Sequence, residues 1–272
     1  SEMISMRPMN WLVYLCWNYE YYIEPLKLGL LYGVNPVDVF LELISNLEQR
    51  KDSLGKMYDD FVRESHDEWF DSPEELIKFY SKEDENGELA AASFAKLNQK
   101  YTARVLFEFK NEMDSAVYKT VRTLVESRND FSEGEAEQFE AEVNEVTVFC
   151  SQKALQINEF VTHNFEVQTK EIFMNNDIIR WIREGGEDPL KNYKITSTNV
   201  QFQLDPDRKK RIKEFWESNN YEDDYKTYMK SLEVIRIDDL FLNVSVGAGE
   251  AQPFVSDQPS SEEFISNWMK ES

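Results

Sequence analysis

The chain has 272 residues, of which 41% are hydrophobic and 14% aromatic, and its formal net charge is -22. The aromatic content argues against disorder over most of the chain. The acidic charge repels nucleic-acid phosphates and anionic lipid headgroups, so neither a nucleic acid nor a membrane is an expected partner. The longest unbroken apolar run, 11–17, has seven residues, whereas a membrane span needs about 20.

The cellular compartment follows from cysteine usage. Cys16 and Cys150 are the only two cysteines and stand far apart in the sequence. This pattern argues against a secreted disulfide scaffold and favours a reducing cytoplasm. The chain also opens without a basic segment, an apolar run and a small-residue cleavage site, so no secretory signal is expected.

The first predicted element is an aromatic helix over about Met9 to Tyr32. Its beginning is apolar around most of its circumference, which is typical of a helix that is buried or covered by a partner. Pro25 is expected to break or kink this helix, and Gly33 to end it. Further helix starts are indicated by the capping signals Asn35-Pro36, Ser72 with Glu75, and Ser132 with Glu135.

Two long helices are predicted in the middle of the chain, joined by the short hinge 128–132. A short connection makes adjacent helices antiparallel neighbours. The first carries the apolar stripe Leu106, Phe109, Met113, Val117, Val121 and Leu124, and the second carries Phe139, Val143, Val146, Cys150, Ile157 and Phe160. The pattern predicts a mainly α protein in which residues 1–165 form a helical array.

The pattern changes beyond position 165. Short strands are predicted at Glu171–Met174 and at Thr198–Leu204, where apolar and polar residues alternate. Residues 166–240 are therefore predicted to form a small α+β appendage with a two-stranded sheet. Residues 241–272 are predicted to be a mobile tail with a short terminal helix, because the stretch 247–261 is polar and rich in Gly, Pro and Ser.

No catalytic or metal-binding motif is complete. The only histidines are His66 and His163, and neither follows a glutamate by three positions, which excludes the ligand pattern of a di-iron bundle. Cys16 and Cys150 are interpreted as buried structural residues. No nucleophile elbow and no phosphate-binding loop occur. We expect no catalytic residue, no metal ligand and no cofactor in this chain, and an enzyme using carboxylates alone is the least favoured hypothesis.

The aromatic helix holds the candidate binding residues Trp11, Tyr14, Trp17 and Tyr21. Tyr and Trp suit interface anchors because each combines a large apolar area with a polar tip. These residues are predicted to line an interface or a pocket, although burial of the helix inside the array explains the same composition. If one side of the helix faces another domain, at least one ring among Trp11, Tyr14 and Trp17 should be substantially exposed.

The segment Met6–Tyr22, which reads MRPMNWLVYLCWNYEYY, resembles the region that follows the catalytic barrel in cobalamin-binding radical S-adenosylmethionine enzymes. In that family a helix led by Met and Arg, with a Trp-Leu-x-x-x-x-Trp-Asn-Tyr core, opens a helical C-terminal region. The stretches 35–38, 69–76 and 189–193 are similar to later parts of the same region. The resemblance extends over about 1–240.

The resemblance implies an accessory helical module that caps the catalytic barrel or shapes its substrate entrance, with the upstream catalytic domain of the same polypeptide as its partner. The parent would bind a 4Fe-4S cluster, S-adenosylmethionine and cobalamin. This chain lacks the C-x3-C-x2-C cluster motif and the Asp-x-His-x-x-Gly cobalamin signature, so no cofactor ligand is carried over to it. The alternative is a free-standing acidic adaptor that binds a protein partner through its aromatic helix.

Overall fold

The computed structural model describes residues 6–67, 72–81, 97–153, 170–195, 199–203, 206–218, 243–246 and 252–253. Most of these residues are helical, which confirms a mainly α protein. The α-helices within these ranges are α1 (Arg7–Val13), α2 (Ile23–Leu31), α3 (Pro36–Gln49), α4 (Ser53–Asp67), α5 (Pro73–Tyr80), α6 (Leu97–Glu108), α7 (Lys110–Arg128), α8 (Glu133–Lys153), α9 (Ile178–Arg183) and α10 (Pro206–Ser218). A π-helix, Tyr14–Asn18, continues α1, and a 3-10 turn, Leu190–Tyr193, follows α9.

The turn between α2 and α3 has the predicted stop and start signals. Gly33 adopts a φ of 77°, which a glycine reaches without a steric penalty. The amide of Val34 then bonds to the carbonyl oxygen of Gly29 at 2.9 Å, closing the end of α2. The side chain of Asn35 accepts a hydrogen bond from the amide of Val37 at 2.8 Å and caps α3.

The other two capping boxes also lie at helix starts. The hydroxyl of Ser72 accepts a hydrogen bond from the amide of Glu75 at 3.2 Å before α5. The carboxylate of Glu135 accepts hydrogen bonds from the amide and the hydroxyl of Ser132, at 2.9 and 2.6 Å, at the start of α8. Each contact satisfies groups that the first helical turn leaves unpaired.

Two predicted helices are interrupted in the structure. The aromatic helix does not run from 9 to 32, because the chain leaves the helical path between Asn18 and Ile23. Pro25 does not cause this break and instead lies in the first turn of α2, where its missing N–H has no intrahelical partner to lose. The first of the two predicted long helices is also interrupted. It forms two helices, α6 and α7, which are separated at Phe109, where φ is -128°.

The helical array is built around the pair α7 and α8, which pack against each other across the hinge 129–132. Helix α2 contacts both of them, α3 contacts α7, and α4 contacts α3. Helix α1 lies against α3, α4 and α6. The aromatic helix start is therefore surrounded by helices of its own chain.

One hydrophobic core extends from the array into the region beyond position 165. Buried residues of this region, including Met174, Trp181, Leu190 and Trp216, belong to the same cluster of packed side chains as Trp11. The predicted boundary at 165 falls in 154–169, outside the described residues. On either side of that gap, the helices share one core.

The sheet is larger than predicted. Its strands are β1 (Lys170–Phe173), β2 (Asn199–Gln203), β3 (Asn243–Val246) and β4 (Gln252–Pro253), all antiparallel and in the order β1-β2-β3-β4. The prediction of a two-stranded sheet is wrong, because β3 and β4 come from the stretch interpreted as a tail. The tail prediction depended on the Gly, Pro and Ser content of 247–261, but β3 lies before that segment and β4 within it has only two residues. The predicted terminal helix lies outside the described residues.

Within the described residues no single helix is both long and apolar enough to cross a membrane. Helices α2 and α3 satisfy the length and composition criteria only as a pair, and they are bent by 118° at their junction.

Candidate functional site

The aromatic segment, residues 11–22, has an unusual backbone. Its π-helix, Tyr14–Asn18, is closed by a hydrogen bond from the amide of Tyr19 to the carbonyl oxygen of Tyr14 at 3.1 Å. Glu20 follows with a φ of 53°, in the left-handed region that few residues other than glycine adopt. π-turns and left-handed residues cost backbone free energy and concentrate at functional sites. This segment is therefore the candidate functional site.

Two of the four predicted binding residues are core residues. Trp11 has no exposed surface, and its ring centroid lies 5.0 Å from that of Phe61 and 6.4 Å from that of Tyr58. Tyr21 is only 3% exposed. Tyr14 and Trp17 keep accessible surface, whereas Trp11 and Tyr21 do not, and the interface or pocket-lining role of all four stays a prediction.

Three rings of the segment remain half-buried, and we call Tyr14, Trp17 and Tyr19 the aromatic face. The hydroxyls of Tyr14 and Tyr19 are hydrogen-bonded at 2.7 Å, and their ring centroids are 4.5 Å apart. Burial, together with this hydrogen bond, raises the pKa of Tyr14 above its usual range. The expected substantial exposure of a ring is only partly met, since Tyr14 and Trp17 keep accessible surface but neither is fully exposed.

Trp17 is partly covered by the side chain of Lys27. The ammonium of Lys27 lies 5.7 Å from the Trp17 ring centroid, within the range of a cation–π contact. The aliphatic part of Lys27 packs on Gly186, where an added Cβ would lie 3.2 Å from the lysine Cδ. Burial lowers the pKa of Lys27, and the nearby carboxylate of Glu187 partly opposes this shift. Lys27 thus connects the aromatic face to the loop after α9.

A first ion pair lies beneath the segment. The ammonium of Lys110 donates to both carboxylate oxygens of Asp114, at 2.5 and 2.6 Å, and both residues are buried. The hydroxyl of Tyr22 donates to the same carboxylate at 2.7 Å. Burial raises the pKa of Tyr22 well above its usual range, and the charge of Asp114 raises it further. The carboxylate thus holds the end of the aromatic segment on α7.

A second ion pair holds the segment on α8. The ammonium of Lys153 donates to the carboxylate of Glu24 at 2.6 Å and to the carbonyl oxygen of Glu20 at 2.7 Å. Burial is the largest single influence and would lower the pKa of Lys153, but the charge of Glu24, the hydrogen bond to it and the smaller contributions of neighbouring groups together raise the pKa. The lysine bonds the carbonyl of the left-handed residue, and so it supports the strained turn.

Both cysteines belong to this buried region. The thiol of Cys150 donates to the carbonyl oxygen of Tyr21 at 2.9 Å, and the amide of Tyr22 bonds to the carbonyl oxygen of Cys16 at 3.3 Å. Burial raises the pKa of both thiols, with Glu24 adding to the effect on Cys150. The thiols stay protonated at neutral pH, which agrees with their interpretation as structural residues and gives them no nucleophilic role.

We call this set the buried polar cluster: Tyr22, Glu24, Lys110, Asp114, Tyr118, Cys150 and Lys153. No pattern in the sequence predicted this cluster. Lys110 and Asp114 have the i, i+4 spacing that is common in exposed helical ion pairs. Glu24 and Lys153 are 129 positions apart, so no local pattern links them. The one sequence signal was the position of Lys110 and Asp114 beside the apolar stripe of α7.

A metal centre requires several ligand side chains close together in space. Among the described residues, no group of three or more His, Cys, Asp or Glu side chains is arranged to hold a metal ion. His66 is exposed on α4, and His163 lies outside the described residues. No protein-family model, no curated protein and no solved structure matches the chain.

Proposed function

We propose that this chain is an accessory, non-catalytic helical module of a radical S-adenosylmethionine iron-sulfur enzyme. It would cap the catalytic barrel or shape its substrate entrance. The supporting observation is the aromatic face, which keeps part of three rings accessible within the segment that resembles this family. Aromatic rings with polar tips are favourable anchors at protein interfaces. The two ion pairs beneath the segment would hold the face in a fixed orientation toward the upstream catalytic domain.

The parent's 4Fe-4S cluster, S-adenosylmethionine and cobalamin would be bound by domains outside this chain. The cluster motif of the family places three cysteines close together. This chain has two, Cys16 and Cys150, which are at most 1% exposed and lie on different helices. The residues present do not fit a cluster, so no chemical step is assigned to them.

The gene upstream of Ser1 provides the first test. The proposal expects an open reading frame that continues upstream and encodes C-x3-C-x2-C in the same frame. An in-frame stop codon directly before Ser1, with no such motif ahead, would overturn the proposal.

The role of the aromatic face is tested by producing the upstream part and this chain separately and measuring their association. Replacing both Tyr14 and Trp17 by alanine should weaken association about tenfold or more, because two anchor rings are lost. The control replaces Leu41 and Ile77, two exposed apolar residues outside the face, by alanine. Equal loss in both variants would show that the face has no specific role.

A free-standing adaptor is the second candidate, favoured by the net charge of -22. Such a charge accelerates encounter with basic partners and is screened by salt. Capture of a partner from lysate should therefore slow as salt rises, and the aromatic-face variant should release it faster. The absence of specific capture at any salt concentration would count against the adaptor.

A further inference from the structure

A groove of about 570 Å³ lies between α7 and α8, close to the hinge that joins them. This volume falls within the range of sites that bind small ligands or peptide side chains. Its apolar lining consists of Phe131, Ala136, Phe139 and Ala141, and its polar lining of Arg122, Glu126, Glu137, Glu140 and Asn144. The groove is open to solvent along one side of the helix pair.

The apolar floor of the groove is held by stacked rings. Phe131 and Phe139 are stacked with a centroid distance of 5.4 Å and an interplanar angle of 27°. The ring of Tyr32 packs edge-on against both, at 5.7 and 4.7 Å. Phe139 is almost fully buried, whereas Phe131 keeps part of its surface accessible. The floor therefore offers one aromatic ring that its neighbours hold in place before anything binds.

The rim of the groove is acidic. Arg122 donates to Glu126 at 3.0 Å and to Glu140 at 2.6 Å, which links the two helices. Within the described part of the chain, the carboxylate of Glu137 has no hydrogen-bond or ion-pair partner, and it is exposed. Three carboxylates against one guanidinium leave the lining with a net charge of -2. A cation that approaches the floor would meet a favourable field.

We propose that this groove binds a basic peptide segment, with one apolar side chain on Phe131 and flanking cationic side chains at Glu137 and Glu140. Charge complementarity selects the occupant, because the rim and the whole chain are both acidic. The apolar floor would pack against one aliphatic or aromatic side chain of the peptide, placed between its cationic residues. An arginine beside Glu137, whose carboxylate has no partner among the described residues, can form two parallel hydrogen bonds with it, which adds geometric selectivity.

The groove is separate from the aromatic face, so this proposal does not rest on the proposed function. Glu24 lies in the first turn of α2, and its carboxylate accepts a hydrogen bond from Lys153 at the end of α8. It ends beside Tyr32, which contacts Phe139 near the start of α8. The aromatic segment and the groove thus lie at opposite ends of α2.

The test uses the full chain and three synthetic peptides of five residues. The first has a central leucine between two arginines on each side, the second replaces the leucine by serine, and the third replaces the arginines by glutamates. Binding is measured by titration calorimetry and by amide chemical shifts. We expect the leucine peptide to bind about tenfold or more tightly than the serine peptide. The glutamate peptide should not bind.

The variant Glu137→Gln/Glu140→Gln should weaken the arginine-leucine peptide about fivefold, because the exposed Glu137 and the half-buried Glu140 both lose their charge. The matched control, Asp59→Asn/Glu74→Gln, removes two exposed carboxylates outside the groove and should leave affinity unchanged. A third variant, Phe131→Ala, should abolish the preference for leucine over serine, and circular dichroism checks that it is folded.

A chain with net charge -22 also attracts basic peptides non-specifically. The leucine and serine peptides, and the groove and control variants, separate this non-specific attraction from binding in the groove. Equal affinity of the leucine and serine peptides would overturn the proposal. So would equal weakening by the groove variant and the control variant. Shift changes confined to 122–144 support the groove, whereas changes spread over the surface contradict it. None of these outcomes depends on the upstream gene or on Tyr14 and Trp17.

Discussion

The ammonium of Lys153 lies 2.6 Å from a carboxylate oxygen of Glu24, whose side chain is wholly buried. This contact joins the end of α8 to the beginning of α2. Exposed ion pairs contribute about 0–1 kcal/mol to folding, because water screens the charges. Removing one partner of a buried pair is different, since the remaining charge is left without compensation in the interior.

Lys153→Met should therefore lower the free energy of unfolding by about 3–5 kcal/mol. Denaturation by urea, followed by far-UV circular dichroism, measures the effect. The control Arg180→Met breaks the exposed pair of Arg180 with Glu184 and should leave the unfolding midpoint unchanged. Adding Glu24→Gln to Lys153→Met should restore part of the stability, because the unpaired charge is then absent. A loss below about 1 kcal/mol for Lys153→Met would contradict the buried pair.

Stability should fall at alkaline pH. Burial raises the pKa values of Cys16, Cys150, Tyr22 and Tyr118 in the folded chain, and Glu24 raises that of Lys153. In each case the folded state holds its proton more tightly than the unfolded state. The stabilisation is complete below the unfolded pKa values, which begin at 9.0 for the thiols, and is lost as pH rises above them.

Between pH 8 and 10 we expect a loss of about 3 kcal/mol, chiefly from the two thiols. Urea unfolding in the presence of a reductant, at half-unit steps of pH, measures it. The variant Cys16→Ala/Cys150→Ala should flatten most of the slope, because the earliest titrating groups are gone. If its slope equals that of the parent, the thiols do not cause the alkaline loss.

Two glycines give a matched pair of substitutions with opposite signs. A Cβ at Gly55 would lie 2.5 Å from the carbonyl oxygen of Arg50, whereas one at Gly134 would have no atom of the described residues within 4 Å. Gly55→Ala should destabilise the fold by about 1–3 kcal/mol, because the backbone of Arg50 must move. Gly134→Ala in α8 should stabilise it by about 0.5 kcal/mol. Thermal melts of both variants test this, and a Gly55→Ala variant as stable as the parent or more stable would contradict the close contact at Gly55.

The left-handed turn at Glu20 should set the order of stability of substitutions at this position. With a φ of 53°, this position should accept glycine with little change, while valine should destabilise by about 1–2 kcal/mol. Asparagine, which tolerates this region, should fall between them. Unfolding free energies of the three variants give the order. Equal stability of the valine and glycine variants would show that the turn relaxes to another conformation.

Local signals in the sequence predicted the helix boundaries that depend on neighbouring residues. The side chains of Asn35 and Ser72 accept bonds from first-turn amides, and Ser132 donates to Glu135, as expected, because each contact spans two or three positions. The break at Phe109 escaped notice, since this residue continues the apolar stripe on both sides. The spacing of apolar side chains does not reveal that the backbone changes direction at Phe109.

The candidate site was located by sequence, but its interior was not. In a helix that is apolar around its whole circumference, the sequence does not show which face is buried, so it does not distinguish Trp11 from Trp17. The π-turn between them changes the helical register, and only one ring is fully buried. The pairing of Glu24 with Lys153 depends on the packing of α2 against α8, which local spacing does not encode.

The shared core sets a limit on how this chain can be divided. Trp181 and Trp216 belong to the same packed cluster as Trp11, although a domain boundary was expected between them. A polypeptide cut near position 165 would lose these two rings from its interior and open the array to water. A recombination event that moved the array is therefore expected to preserve this packing only if residues 170–218 move with it.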